Sequence, residues 1–171
     1  PVMRSYYPAQ LFFDNLRVPG RNVLGEVNNG WDLLANKLLA TARIPYSAAN
    51  LGIAVIAHRM AVAYSKTRET FGAPLASRQA IQWMLVDSEI EIRACRWLIW
   101  DAAWKHDAGD DFRQAASVAK VYSADILGNV VDRSIQIHGG YGVTEWLPLE
   151  RWYREARIRR IGEGPQEVQK M

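Results

Sequence analysis

Residues 77–106 read SRQAIQWMLVDSEIEIRACRWLIWDAAWKH. Ile81, Leu85, Ser88, Ile92, Cys95 and Ile99 recur at alternating steps of four and three, which marks one buried stripe along a long helix. Trp97, Trp100 and Trp104 make another face, expected to pack in a core or at an interface. Cys95 lies in the buried stripe and reads as a structural thiol rather than a nucleophile.

Working toward the C-terminus, Asp107-Ala108-Gly109-Asp110 is a loop. Asp111 with Gln114 resembles a capping box opening a third helix. That helix carries two apolar faces: Ala119, Tyr122, Ile126, Asn129 and Arg133 on one, Val118, Val121, Gly128, Val131 and Ile135 on the other. Such a helix belongs at the centre of a bundle. Gly139-Gly140-Tyr141-Gly142 ends it. Pro148 suits the start of a fourth helix through about Arg160, and a short last helix follows Pro165.

Toward the N-terminus, Phe71-Gly72-Ala73-Pro74 is a turn, preceded by helical periodicity through Leu51, Val55, Arg59, Val62 and Ser65. Arg43-Ile44-Pro45 should break or kink that helix. Asn28-Asn29-Gly30 is a cap, with Trp31, Leu34 and Leu38 following at helical spacing. Nothing after residue 30 reads as a strand. Before it, Leu11-Phe12-Phe13-Asp14-Asn15-Leu16-Arg17-Val18-Pro19 reads as a strand, a turn and a short extended piece, too small to stand alone. The expectation is an all-α, up-and-down four-helix bundle over residues 29–171, with a β stub over 1–28 cut from a larger β region.

The 171 residues suffice for one domain, and 49% apolar with 23% charged is a soluble, globular composition. No apolar run reaches the roughly 20 residues that span a bilayer. Pro1 to Tyr7 contains no apolar leader region. A single cysteine excludes an internal disulfide and suggests a reducing compartment, the cytoplasm or a mitochondrial matrix. The net charge of +3 suits a polyanionic ligand such as a nucleotide or coenzyme A. Nucleic acid is not expected, because the basic residues are dispersed except near the C-terminus. The arginines at 151, 154, 157, 159 and 160 read as a solvated or subunit face.

Familiar chemical signatures are absent: no P-loop, Rossmann fingerprint, zinc motif or Ser-His-Asp arrangement, and no metal site is expected. His58 and His106 have no partner pattern. Four segments carry the chemistry instead: Arg68-Glu69-Thr70-Phe71-Gly72-Ala73-Pro74-Leu75, Arg78-Gln79-Ala80-Ile81-Gln82, Gln136-Ile137-His138-Gly139-Gly140-Tyr141-Gly142 and Ile161-Gly162-Glu163-Gly164-Pro165. In this order and at these separations, together with residues 12–19, they resemble the acyl-CoA dehydrogenase family over nearly the whole chain.

The resemblance implies the C-terminal helical domain of an enzyme that removes the α-proton of an acyl-CoA thioester while hydride passes to FAD, giving a trans-2-enoyl-CoA. Such a base should be a carboxylate in a site that substrate makes dry. By resemblance that base is Glu163, set between two glycines. Some family members carry it instead three residues before Arg43, where this chain has Ala40. Arg68, Thr70, Phe71, Gln79, Gln136 and Gly140 match positions that meet FAD, and Arg43 and Gly164 match positions near the acyl-CoA. Read alone, Arg68 is a helix-end cation and Gly139-Gly140 a helix stop.

Three positions depart from the family pattern: Gly162 replaces a tyrosine, Pro165 a threonine, and Arg78 a histidine or aromatic. The resemblance also implies a homo-oligomer, a dimer or tetramer, that shares FAD between subunits, and an electron-transfer flavoprotein or similar acceptor. A chain of this extent alone is expected to bind FAD weakly and not to turn over. The alternatives are an acyl-CoA oxidase or flavin monooxygenase of the same superfamily, and a non-catalytic helical oligomerisation module.

Overall fold

The computed structural model describes Val2 and residues 9–171, apart from the side chain of Asn36. The segment read for a leader thus lies, except for Val2, outside the described residues. Five α-helices follow in order: α1 (Ala40–Thr67), α2 (Gln79–Ala108), α3 (Arg113–His138), α4 (Leu149–Arg159) and α5 (Gln166–Gln169). The all-α bundle expected from the periodicities is the fold observed, with the helix limits within a few residues of those read from sequence.

Helix α3 is the axis of the bundle, and α1, α2, α4 and α5 all pack on it. Its two apolar faces explain this position. Ala119, Ile126, Leu127, Val130 and Val131 enter one core cluster with Ala54 and Ala57 of α1, Ile92, Cys95 and Ile99 of α2, and Leu149 and Ala156 of α4. The α1 side of the seam is alanine at 54, 57 and 61, all buried, so the two helices approach closely. Within that seam the Asn50 amide donates to the Ser123 hydroxyl at 3.2 Å. On the other side, Arg133 of α3 holds Glu91 of α2 at 2.7 Å. Burial pushes the Cys95 thiol up to about 12, as befits a structural residue.

Three sequence readings are corrected. Pro45 does not break its helix: helical structure runs from Gly30 through a π-helical stretch, Asp32–Leu39, into α1 without interruption. The proline withholds an N–H from the preceding turn, but Ala40, Ser47, Asn50 and Ala54 on the same helix are buried, and their packing carries it through. Second, strand does occur after residue 30. Glu69–Thr70 (β1) and Ala73–Pro74 (β2) form a two-stranded antiparallel ladder. Third, residues 11–19, read as a strand, a turn and an extended piece, take no strand partner among the described residues. A lone strand has nothing to pair its backbone with. Trp97, Trp100 and Trp104, expected in a core or at an interface, are exposed in this chain, which leaves the interface as the place for them.

The alanine seam gives a stability test. Ala57→Leu forces extra volume between α1 and α3 and should lower stability by about 1–3 kcal/mol. Thermal unfolding measures it, and an unchanged midpoint would mean that the seam has slack.

Candidate functional site

The candidate residues gather at two separate places. The first is the corner where the segment between α4 and α5 crosses α1 and α3. Glu163 adopts φ 60 and Gly164 φ 94, both left-handed. A glutamate pays for that conformation, so the surroundings must impose it. They do so from both sides. The fully buried Lys120 of α3 donates from Nζ to the Gly164 carbonyl at 2.6 Å. Gln169 of α5 donates from Nε2 to the Glu163 carbonyl at 3.3 Å. Flanking the turn, Asp125 accepts from Gln166 Nε2 at 2.9 Å and pairs with Arg160 Nε at 3.1 Å.

Polar atoms buried without partners at this corner include Oε2 of Glu163, Nε of Arg43, Oε1 of Gln169 and Nε of Arg159. Arg43 reaches Ser117 of α3 through Nη1 at 3.3 Å. Burial lowers the Arg43 guanidinium from its ordinary value, and the charge of Glu163 works against that. Lys120 is lowered by burial and then by Arg43, while Glu163, Glu167 and Asp125 oppose the change. Glu163 therefore stands near two cations, with one carboxylate oxygen that no protein donor meets. The departure at position 162 also has a local reason. A β-carbon there would lie 3.0 Å from the hydroxyl of Tyr46, so a side chain from α1 occupies that space. Tyr46 carries the Arg159 guanidinium 5.0 Å from its ring centre.

The second place is a cleft of about 660 Å³ at the other end of α1 and α3. Arg68, Thr70, Gln136 and Gly140 line it together, beside Tyr64 and His138. Arg68 is the residue after the last turn of α1, and its guanidinium has no ion-pair or hydrogen-bond partner among the described residues. Its neighbours on the hairpin are fixed: Arg78 Nη2 donates to the Thr70 carbonyl at 2.8 Å. Phe71 and Gly72 both have positive φ at the hairpin tip, as a two-residue primed turn requires. Phe71 is 100% exposed there, an aromatic held in a costly conformation with no packing return inside this chain. His138 is buried, stacked on Tyr64 at 4.4 Å and bonded through Nδ1 to the Ser134 carbonyl at 2.7 Å. It forms the floor of the cleft's glycine turn. Gln79 opens α2, exposed, and does not line this cleft.

The two places do not meet. Lys120 and Gln136 lie sixteen residues apart on one helix, about 24 Å at 1.5 Å per residue. Lys120, Gln169, Tyr46 and Tyr64 were not singled out by sequence reasoning. Lys120 had a readable signal: it sits on the small-residue face of α3, four after Ala116 and three before Ser123, where a charge is out of place. The other three had none.

The family described as acyl-CoA dehydrogenase, C-terminal domain, matches residues 28–171. The chain belongs to that family. A short-chain specific acyl-CoA dehydrogenase of Megasphaera elsdenii is 41% identical over 162 residues, covering 95% of this chain and 42% of that protein. A 3-(aryl)acrylate reductase of Clostridium sporogenes is 39% identical over 163 residues, covering 95% and 43%. The solved structure of butyryl-CoA dehydrogenase from Megasphaera elsdenii superposes with a TM-score of 0.87 at 41% identity, covering 93% of this chain and 41% of that one. The chain thus spans roughly four-tenths of the length of these relatives. No helix among the described residues is long and apolar enough to cross a membrane.

The Glu163 turn gives a direct test. At position 164 a β-carbon would overlap the Gln169 amide nitrogen, in a left-handed conformation that side chains rarely take. Gly164→Ala should cost about 1–3 kcal/mol in thermal or denaturant unfolding. A variant as stable as wild type would show that the turn relaxes freely.

Proposed function

We propose that this chain is the C-terminal helical part of an FAD-dependent acyl-CoA dehydrogenase, with residues 29–171 as the bundle and 1–28 as the end of a preceding β domain or linker. The observation that carries this reading is the Glu163 corner: a carboxylate with an unmet buried oxygen, on a strained glycine-flanked turn, within the electrostatic reach of Arg43 and Lys120. In this reading Glu163 takes the α-proton of an acyl-CoA thioester. Arg43 presents positive charge at the corner where the acyl-CoA would enter, and Gly164 keeps the backbone narrow enough for it to approach. Proton removal at Cα leaves electron density on the thioester, which a nearby cation stabilises. The product is a trans-2-enoyl-CoA.

The cleft at the far end fits the phosphate half of FAD. Arg68 offers an unpaired fork of donors, Gln136 a side-chain amide, and Gly139-Gly140 exposed backbone after α3. Thr70 and the exposed Phe71 would flank it, with Gln79 on the adjoining helix start. The bound cofactor supplies the hydride acceptor that the side chains here lack. Because this cleft lies about 24 Å along α3 from the Glu163 corner, it would serve the reacting centre of a second copy rather than its own. That arrangement needs a homo-oligomer, a dimer or tetramer. An apolar row on α2 supports one: Trp83, Val86, Ile90, Trp97, Trp100 and Trp104 are exposed at steps of three, four and, between Ile90 and Trp97, seven. An electron-transfer flavoprotein or a similar acceptor would complete turnover.

A second reading has a specific observation behind it, since the relative from Clostridium sporogenes is a 3-(aryl)acrylate reductase. The same corner would then return a proton from Glu163 to Cα.

The test is an anaerobic titration of the complete flavin-loaded enzyme with a panel of acyl-CoAs. Wild type should bleach with at least one of them and Glu163→Gln with none. Arg68→Ala should retain flavin about tenfold more weakly, as expected for the loss of a charged hydrogen bond. The isolated chain should bind FAD weakly. Bleaching of Glu163→Gln at the wild-type rate would overturn the assignment of the base.

A further inference from the structure

Lys120 and Gln169 grip two consecutive carbonyls, those of Gly164 and Glu163. These belong to the two residues of the segment held at positive φ. A non-glycine residue keeps such a conformation only where the surroundings over-determine it. Lys120 is 0% exposed, and its burial is costly unless the ammonium is well partnered. A lysine spent on one backbone carbonyl, deep in a helix face otherwise made of alanine and serine, is explained poorly by stability alone. An apolar side chain of the same size would pack there at less cost. Gln169 works from the opposite side, and its amide fills the space where a β-carbon of residue 164 would go.

We propose that Lys120 and Gln169 are positioning residues: a two-donor clamp that holds the Glu163 turn left-handed and so aims the Glu163 carboxylate. The proposal rests on Glu163 being the base. Neither residue touches substrate in this account; both act through the backbone of the turn. The clamp couples the aim of the carboxylate to α3 and α5, which meet the turn from different directions. Arg43 then supplies charge at the corner, and the clamp supplies geometry.

The experiment uses the complete flavin-loaded enzyme and an acyl-CoA that bleaches the wild-type flavin. Lys120→Met keeps the length and removes the donor; Gln169→Leu does the same at the more exposed site. Single-turnover bleaching is followed anaerobically, with Glu163→Gln alongside. Deuterium exchange of the peptide spanning residues 161–169 is measured on the same samples. The expected result is a bleaching rate constant reduced between about ten- and a hundredfold in each variant, the scale of a small misplacement of a reacting group. The bleached fraction per bound flavin and the half-saturating acyl-CoA concentration stay near wild type, and the peptide exchanges faster. A merely structural role would lower the bleached fraction and leave the rate constant alone. Rate constants within about fivefold of wild type, or unchanged exchange, overturn the clamp. If Lys120→Met fails to fold, Gln169→Leu decides by the same criteria. Loss of bleaching in Glu163→Gln with wild-type rates in the clamp variants sinks the clamp alone, whereas bleaching in Glu163→Gln sinks the base itself.

Discussion

The Glu163 corner hangs on an ammonium group that water does not reach. Lys120 is buried on the inward face of α3, and its ammonium donates at 2.6 Å to a backbone carbonyl 44 residues downstream. A buried cation must be answered by nearby negative charge or oriented dipoles. Here the answer is the Gly164 carbonyl together with the field of Glu163, Glu167 and Asp125. The segment after α4 is thereby drawn onto α3. Once it is there, Arg160 and Gln166 close on Asp125 and fix its two ends. The alanine seam between α1 and α3 is the other requirement, since it brings Arg43 and Tyr46 to the same corner.

The bundle works as a spacer as much as a scaffold. One end of α3 carries Lys120 and the Glu163 turn, and the other carries Gln136 and the glycine turn beside Arg68. A rigid helix keeps these ends apart, so in the proposed function one copy would present a proton acceptor at one end and an anion cradle at the other. Two such copies arranged head to tail would complete each other's sites. The exposed tryptophans of α2 offer a surface for that arrangement, and the fully exposed Phe71 has no purpose within a single chain.

Much of this was legible beforehand, for identifiable reasons. The stripe Ile81 to Ile99 and the two faces of α3 follow from a period that backbone geometry imposes, and they located α2 and α3 closely. Glu163 stood out by family resemblance; its flanking glycines alone mark only a sharp turn, and a loop carboxylate would have been the plain reading. Pro45 misled, because a local rule about one missing N–H was outweighed by packing along the whole helix. The hairpin at 69–74 was missed as strand because it is two residues per side and set by the turn rather than by any alternation. The tryptophans could be read only as far as a core or an interface, because an apolar helix face says that something covers it, not which chain does. Lys120 could have been found as a charge among alanines; Gln169 could not, since its role depends on a backbone bend that no pattern announces.

The central claim is that Glu163 removes a proton from the carbon beside the thioester. An acyl-CoA analogue with no hydrogen on Cβ isolates that step, because hydride transfer cannot follow. Incubated in deuterium oxide with the complete flavin-loaded enzyme, it should gain deuterium at Cα with wild type and not with Glu163→Gln, as read by mass spectrometry. Equal deuterium gain in the two proteins would show that another group takes the proton and would contradict the account.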